Sequence, residues 1–389
     1  MIKVLFIQHG LGYGGATKSL LLMQKALANE FKLYTISQKV SRKTREIIDE
    51  FKKYSEFHEM AFPSIYSYSA ATIKDADFNK ALRFFPQQII DFINTNNIDI
   101  VHVNSSLFSH LLKSIKDHTK AKIVVHLREM IPNDVTSINK FIISNHIEYA
   151  DKIIAISNNE VKFYPRLDKV LVIPNSHEFE KTDSLLSTEP SENTITVGMC
   201  SNFVEYKGHL DFLEMIRIVN EKLCNQEVRF VLIGYPKSTI KEHIKRLIKP
   251  GFKQKFDNTV KRNRITNLKI IDFTFNIYEE VSKWDIYVRP DYTGHPWGRD
   301  VIEAMGLKKP IIATGDSQFL IENEVTGYLV PPFSPKRLAE KVEELIRNPI
   351  KRKRMGEFGY KKIKSLCDFY ENGMIIKKLY NEVALKNSI

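Results

Sequence analysis

The chain has 389 residues and a formal net charge of +12, with 43% hydrophobic and 27% charged residues. These values are ordinary for a globular protein, and the length suffices for two domains. The longest apolar runs, such as Val4–Ile7 and Val228–Ile233, are far shorter than the ~20 residues that span a bilayer. The three cysteines are scattered, and Met1 is followed directly by a strand-like run, so we expect no signal peptide. We therefore expect a cytoplasmic protein.

Short β-branched runs alternate with amphipathic stretches through the first half of the chain. The predicted strands are Lys3–Ile7, Lys32–Ile36, Asp99–Val103, Lys122–Leu127, Lys152–Ile156 and Val170–Ile173. Helical patterns lie between them, for example at Lys18–Ala28 and Pro86–Asn94. This alternation predicts parallel βαβ units.

A polar stretch, Asn175–Asn193, interrupts the alternation and predicts a linker. The alternation then resumes. The predicted strands of the second half are Thr194–Met199, Arg229–Ile233, Leu268–Ile271, Ile286–Val288 and Ile311–Ala313. The predicted helices are Lys207–Leu223, Tyr278–Lys283, Arg299–Gly306 and Pro335–Arg347, with a helical tail from Lys351 onward.

The pattern predicts an α/β chain of two Rossmann-like, doubly wound parallel-sheet domains that face a cleft. We place the N-terminal domain at 1–178, the linker at 179–193 and the C-terminal domain at 194–370. A C-terminal helix at 371–389 is expected to pack back on the N-terminal domain. Ligands of such sheets bind at the carboxyl ends of the strands.

The stretch QHGLGYGGATKS joins the first predicted strand to the first helix, and several kinds of ligand are considered for it. Gly10, Gly12 and Gly15 spell the dinucleotide pattern G-x-G-x-x-G, but no acidic residue ends the second strand. A triphosphate loop would need glycine where Thr17 stands. Otherwise the loop is a plain turn, or the amides at Gly14 and Gly15 contact another phosphorylated ligand.

A basic segment, Val231–Ile270, holds eleven Lys or Arg and two Asp or Glu residues. Within it, Ile240–Ile248 has helical apolar spacing between basic residues. This pattern fits a surface helix packed on its own core, or a helix that lies on anionic lipid headgroups at the inner membrane face. No aromatic-rich or helix-turn-helix pattern accompanies the charge, so we expect no nucleic-acid partner.

Two motifs in the second half are more specific. They are SNFVEYKGHLDFLEMI (Ser201–Ile216) and HPWGRDVIEAMGLKKPIIAT (His295–Thr314). Together with the glycine loop they resemble the retaining GT-B glycosyltransferases of family 4, and the resemblance covers almost the whole chain. It implies transfer of a sugar, with retained configuration, from a UDP- or GDP-linked donor to a glycan or lipid-linked acceptor. Cell-surface polysaccharide synthesis is the expected setting.

The resemblance also implies roles for single residues in the second half. Lys207 meets the donor diphosphate, where a cation stabilises the charge that grows as the nucleotide leaves. Glu303 accepts hydrogen bonds from the donor ribose. The helix N-terminus at Gly298 and Arg299 offers amides to phosphate or sugar hydroxyls.

In the first half, the resemblance assigns His126 to the transferred sugar. Gly14 and Gly15 complete the donor site. Arg128 and Glu129 are candidates for acceptor contact. The catalytic set implied is therefore His126, Lys207 and Glu303.

Two positions depart from the family pattern. Asn202 stands where an arginine is common, and His295 stands where the first of two glutamates is usual. Both positions are expected to contact the donor, and Arg289 or Arg299 is a hypothetical substitute for the absent cation. The departures leave open a non-catalytic protein that binds a nucleotide sugar. A nucleotide-sugar epimerase or an NAD-dependent enzyme on a similar architecture is a further alternative.

No metal site or cofactor is expected. Asp75-Ala76-Asp77 spells the D-x-D motif that other glycosyltransferases use for divalent ions, but it does not follow a predicted strand. We interpret these acids as loop or helix-start residues. Lys207 and helix N-termini supply positive charge without a metal ion.

Overall fold

The computed structural model describes residues 1–9, 14–39, 45–65, 75–129, 137–186, 194–223, 227–236, 251–272, 274, 276–296 and 298–385. The chain divides into two compact units. One comprises Met1–Ser176 with Phe369–Ile389, and the other comprises His177–Asp368. No helix within these described ranges is both long and apolar enough to cross a membrane.

The first unit is built on a seven-stranded parallel sheet. Its strands are β1 (Lys3–Gln8), β2 (Lys32–Ser37), β3 (Glu56–Glu59), β4 (Ile100–Val103), β5 (Lys122–Leu127), β6 (Lys152–Ala155) and β7 (Val170–Val172). They lie in the order β3-β2-β1-β4-β5-β6-β7. The six strands predicted for this half are present. Strand β3 was not predicted, because this edge strand carries charged, exposed side chains in place of an apolar run.

Helices cover both faces of this sheet, since the apolar residues of its strands alternate between two cores. In β1, Val4 and Phe6 face one apolar cluster while Leu5 and Ile7 face the other. The described helices are α1 (Gly15–Leu27), α2 (Glu46–Lys52), α3 (Asp75–Leu82), α4 (Gln87–Asn96), α5 (Leu112–His118), α6 (Ser137–Tyr149) and the final helix, Phe369–Leu385. The final helix packs on the Val4 side of the sheet.

The second unit contains a six-stranded parallel sheet. Its strands are β8 (Ile195–Cys200), β9 (Val228–Ile233), β10 (Leu268–Ile271), β11 (Ile286–Arg289), β12 (Ile311–Thr314) and β13 (Gly327–Val330), in the order β10-β9-β8-β11-β12-β13. The described helices are α7 (Phe179–Asp183), α8 (His209–Lys222), α9 (Phe252–Arg262), α10 (Ile277–Ser282), α11 (Arg299–Gly306), α12 (Pro335–Arg347) and α13 (Pro349–Cys367), so the final helix is α14 (Phe369–Leu385). Strand β13 was not predicted, because it is short and begins with glycine.

The structure differs from the predicted elements in two places. Helix α7 occupies part of the stretch predicted as a linker, because Phe179 and Thr182 are buried in the second unit. The helix predicted from Lys207 begins two residues later. A 3₁₀ turn ends at Lys207, and Gly208 has a φ of 75°, so this left-handed residue separates the turn from α8.

Several predicted features lie outside the described residues. These are Gly10 and Gly12 of the glycine loop, and the basic stretch Ile240–Ile248. Asp75 and Asp77 lie in the first turn of α3, in agreement with their interpretation as helix-start residues.

Candidate functional site

Lys207 and Asp291 form an ion pair at the carboxyl edge of the second unit's sheet. Lys207 ends the turn after β8, and Asp291 lies two residues past the last residue of β11. The Lys207 Nζ and an Asp291 Oδ are 2.6 Å apart. The Asp291 side chain is 1% exposed and the Lys207 side chain 21% exposed, so the lysine is the more accessible partner of the pair.

Further contacts hold Asp291 in place. One carboxylate oxygen accepts a 3.2 Å hydrogen bond from an Arg289 Nη, and the other accepts the backbone N–H and the hydroxyl of Thr293. The hydroxyl of Thr314 donates to the Asp291 carbonyl oxygen. Burial alone would raise the pKa of Asp291, but the charges of Arg289 and Lys207 outweigh it and lower the pKa below its ordinary value. The group is therefore a carboxylate at neutral pH.

Arg289 connects this carboxylate to the start of α11. One Nη of its guanidinium donates to both carboxylate oxygens of Asp300, and its Nε donates to the His295 carbonyl oxygen over 3.0 Å. A Cβ added at Gly298 would lie 2.5 Å from an Asp300 oxygen and 3.1 Å from the Arg289 Nη, so glycine makes room for the pair. Arg289 is thus already bound by two carboxylates and a carbonyl, as a buried bridging group.

Glu303 lies one helical turn beyond Arg299 on α11. The Arg299 Nε is 3.0 Å from a Glu303 carboxylate oxygen, and the two side chains are 5% and 9% exposed. Tyr278 lies near both groups. Burial and then the Glu303 charge raise the pKa of Tyr278, while the Arg299 charge opposes this shift. The carboxylate predicted to bind ribose is therefore buried and ion-paired, beside Tyr278 of α10.

The two residues that depart from the family pattern, Asn202 and His295, lie in different surroundings. Asn202 is exposed in the loop that follows β8. His295 lies near Asp291, Arg289 and Lys207, and burial lowers its pKa, which favours a neutral ring. The structure therefore brings Lys207 and His295 together, and places Glu303 with Arg299 on the adjoining helix.

Gln8, Asn104 and His126 lie where three neighbouring strands of the first unit end. Gln8 ends β1, Asn104 follows β4, and His126 is the penultimate residue of β5. All three are buried, with exposures of 0%, 0% and 3%. Several of their polar atoms have no hydrogen-bond partner among the described residues. These atoms are the Oε1 and Nε2 of Gln8, both ring nitrogens of His126, and the Nδ2 of Asn104.

A second histidine lies beside His126. The His102 and His126 ring centroids are 5.3 Å apart, and the His102 Nδ1 is 2.7 Å from the hydroxyl of Tyr380 on α14. Burial, with a smaller effect of the Arg128 charge, lowers the pKa of both histidines well below the ordinary value. Both rings are neutral at pH 7, so each can donate one hydrogen bond and accept another.

The predicted acceptor residues are held by polar contacts inside the first unit. Arg128 donates from Nε to the Asn104 amide oxygen over 3.0 Å and from an Nη to the Asn175 amide oxygen. Glu129 accepts hydrogen bonds of 2.9 Å from the hydroxyls of Ser105 and Ser106. These contacts fix both side chains near the ends of β4 and β5.

The described part of the glycine loop is the start of α1. Gly14 is the N-cap residue with extended backbone, and Gly15, which is exposed, is the first helical residue. A Cβ at Gly14 would meet no described atom within 4 Å. Packing among the described residues therefore does not require glycine at this position.

Solved structures similar to this chain are glycosyltransferases. The Anabaena protein Alr3699/HepE in complex with UDP-glucose has a TM-score of 0.76 and 17% identity, over 98% of this chain and 100% of that chain. A glycosyltransferase from Rickettsia africae has a TM-score of 0.74 and 18% identity, over 98% of both chains. The chain has the GT-B fold.

The second half of this GT-B chain also matches a sequence family. Residues 182–362 match the family model of glycosyl transferases group 1. A more distant GT-B structure, the pneumococcal O-GlcNAc transferase GtfA in complex with UDP and GlcNAc, has a TM-score of 0.70 and 12% identity, over 98% of this chain and 99% of that chain. No curated protein matches the sequence.

Three residues of these clusters were not predicted as site residues: Asp291, Asp300 and Gln8. Asp291 and Gln8 do carry a usable signal, since each is a polar residue at or just past the end of a buried strand of a parallel sheet. Asp300 carried no comparable signal, because an acidic residue in the first helical turn is ordinary.

Proposed function

We propose that the chain is a retaining glycosyltransferase of family 4 that uses a UDP- or GDP-linked sugar. One observation carries this proposal. The Lys207 side chain is ion-paired with Asp291 yet 21% exposed at the carboxyl edge of the second unit's sheet, inside the segment that matches the glycosyl transferases group 1 model. A fixed cation at this edge can stabilise the charge that develops on a leaving diphosphate. The complexes of HepE with UDP-glucose and of GtfA with UDP support a uridine donor.

Glu303 is assigned to the ribose of the donor. A carboxylate accepts hydrogen bonds from the two ribose hydroxyls, and the ion pair with Arg299 holds that of Glu303 on α11. The N-terminus of α11 at Gly298 and Arg299 offers backbone amides to phosphate or sugar oxygens. His295 and Asn202 are assigned to neutral hydrogen bonds with the donor.

The first unit supplies groups for the sugars. His126 is neutral, and its two ring nitrogens, which have no hydrogen-bond partner in the described ranges, can donate to one hydroxyl and accept from another. Gly14 is the N-cap of a 13-residue helix that begins at Gly15, and the amides of a helix N-terminus attract a phosphate or hydroxyl oxygen. Arg128 and Glu129 are assigned to the acceptor.

The proposed reaction breaks the bond between the anomeric carbon and the diphosphate oxygen, and forms a bond from the same face of the sugar to an acceptor hydroxyl. The anomeric centre passes through an oxocarbenium-like state, and the acceptor proton leaves on the departing diphosphate. Lys207 compensates the new charge, so no divalent ion is required. The acceptor is a glycan or a lipid-linked glycan of cell-surface polysaccharide synthesis, met at the inner membrane face by the basic segment.

The proposal is tested by following release of UDP or GDP from UDP-glucose, UDP-galactose, UDP-GlcNAc and GDP-mannose, with and without EDTA. Proton NMR of the product gives the anomeric configuration. We expect turnover of one donor, unchanged by EDTA, with the donor configuration kept. Inversion, or loss of turnover in EDTA, would contradict the corresponding part of the proposal.

A non-catalytic nucleotide-sugar-binding protein is the second candidate, because Asn202 and His295 replace an arginine and a glutamate of the family pattern. Calorimetric binding of a UDP- or GDP-sugar without hydrolysis or transfer, over a panel of glycan acceptors, would favour this candidate over the enzyme.

A further inference from the structure

The Asp291 carboxylate lies between two cations, and both of its oxygens are engaged. One oxygen contacts Lys207 and Arg289, and the other accepts two hydrogen bonds from Thr293. Rotation of the carboxylate would break all four contacts in a site that is 1% exposed. Asp291 is therefore a fixed anchor in the second unit.

Lys207, in contrast, has a flexible four-carbon side chain and partial exposure. Its ammonium has three protons, and Asp291 accepts one of them. The Tyr206 ring lies 5.1 Å from the same Nζ, on the preceding residue of the turn. Among the described residues Asp291 is the one acceptor of a hydrogen bond from this ammonium, which leaves two protons for an anionic ligand.

We propose that Asp291 is a positioning residue for donor binding, which holds the Lys207 ammonium where the donor diphosphate binds. This inference rests on the proposed function and adds to it a residue that acts through Lys207. Arg289 is already bound by Asp291, Asp300 and the His295 carbonyl. Its role is therefore to fix Asp291 in place, and it does not substitute for the arginine absent at position 202.

The anchor also acts on the charge of Lys207. Burial, and then the charge of Arg289, lower the pKa of Lys207, whereas Asp291 and more weakly Asp300 raise it. Among the described residues, the other titratable groups near the ammonium are His209 and His295, whose pKa values burial lowers, and Tyr206, whose pKa burial raises. These three are neutral at pH 7.

Removing the Asp291 charge should therefore lower the pKa of Lys207 further. A diphosphate binds the protonated ammonium, so affinity falls as pH rises through the pKa of Lys207. In an Asp291→Asn protein this alkaline loss of affinity should occur at lower pH than in the wild type. A residue that merely stabilised the loop would weaken binding without moving this pH profile.

The opposite role is a latch, in which Asp291 occupies Lys207 in place of the phosphate. The anchor predicts weaker nucleotide binding in Asp291→Asn, and the latch predicts tighter binding. The two roles thus give opposite signs in one measurement.

The experiment measures UDP and GDP binding by calorimetry from pH 6 to pH 10 for the wild type, Asp291→Asn, Lys207→Met and the double variant. We expect Asp291→Asn to bind the nucleotide at least tenfold more weakly than the wild type at pH 8, and to lose affinity on the alkaline side at a lower pH. The double variant should bind no more weakly than Lys207→Met alone. Thr293→Val, which removes one hydrogen bond to Asp291, should also weaken nucleotide binding, but by less. This variant replaces Asp291→Asn in the experiment if Asp291→Asn does not fold.

Tighter binding, an unmoved pH profile, or additive losses in the double variant would overturn the inference while leaving the proposed function intact. A wild-type protein that binds neither UDP nor GDP would contradict both.

Discussion

Gly208 lies against the carbonyl group of Pro290, so closely that a Cβ at position 208 would stand 1.8 Å from that oxygen. Gly208 follows Lys207 and Pro290 precedes Asp291, so this backbone contact sets the distance between the two charged side chains. With its φ of 75°, Gly208 meets two requirements that only glycine satisfies together, a left-handed conformation and close approach.

Gly208→Ala should destabilise the second unit and weaken nucleotide binding. The left-handed conformation alone costs about 1–2 kcal/mol for alanine, and the Pro290 carbonyl adds a clash. Gly251→Ala is the matched control, because Gly251 has a φ of −92° and a Cβ there would meet no described atom within 4 Å. Thermal unfolding should show a lower Tm for Gly208→Ala only. Equal Tm values would mean that the turn does not depend on glycine.

Glu303→Gln should remove discrimination between ribose and deoxyribose. A hydrogen bond to a charged group contributes about 1.5–3 kcal/mol, so the wild type should bind UDP at least tenfold more tightly than 2′-deoxy-UDP. The variant should bind both nucleotides with similar, weaker affinity. The comparison separates ribose contact from any loss of stability caused by the altered Arg299 pair.

Glu322→Gln is the control for this experiment, since Glu322 pairs with Lys362 and its side chain is 48% exposed. It should keep the wild-type ratio of UDP to 2′-deoxy-UDP affinity. If Glu303→Gln also kept that ratio, the ribose assignment would be wrong.

Tyr380→Phe should destabilise the first unit, because it leaves the buried Nδ1 of His102 without its hydroxyl partner. A buried polar group that loses its hydrogen bond costs about 1–3 kcal/mol. Urea unfolding measures this loss. Tyr370→Phe on the same helix is the control, because Tyr370 is 61% exposed. A Tyr380→Phe protein as stable as this control would show that the hydroxyl contributes nothing to stability.

Lys309 should make the stability of the second unit rise with pH. Burial lowers its pKa to about 8, while its Nζ donates a 2.6 Å hydrogen bond to the Ser282 carbonyl. The unfolded chain keeps the ordinary lysine pKa of about 10.4, so between these values the unfolded state binds more protons than the folded state. The burial cost is therefore full below pH 8 and is relieved as pH rises through the folded pKa.

Urea unfolding at pH 7 and pH 9.5 tests this dependence. The free energy of unfolding should increase more between these pH values for the wild type than for Lys309→Met. The exposed Lys353→Met should behave as the wild type. An identical increase in all three proteins would contradict the assignment to Lys309.

Much of the fold could be predicted from sequence, because buried parallel strands are continuous β-branched runs such as Val4–Ile7. Strands β3 and β13 could not, since one is charged and the other is short and begins with Gly327. These two strands are determined by the strands with which they pair rather than by their own residues.

The candidate site was predictable only where a motif marks it. Lys207 and Glu303 stand in such motifs, whereas Asp291 is an isolated acid whose meaning depends on contacts with Thr293 and Arg289. The pairing of Glu303 with Arg299 has an i, i+4 spacing that sequence could have suggested. Nothing in the sequence alone indicates that this pair is buried.

The most direct test of the account is calorimetric titration of the wild type and Lys207→Met with UDP and GDP at pH 7.5, with Lys222→Met as the control. Lys222 pairs with Glu343 on α12, so this control removes a paired lysine that no proposed ligand contact uses. We expect the wild type and the control to bind one of the two nucleotides equally, and Lys207→Met to bind it at least tenfold more weakly. Equal binding by all three proteins, or binding of neither nucleotide by the wild type, would contradict the account.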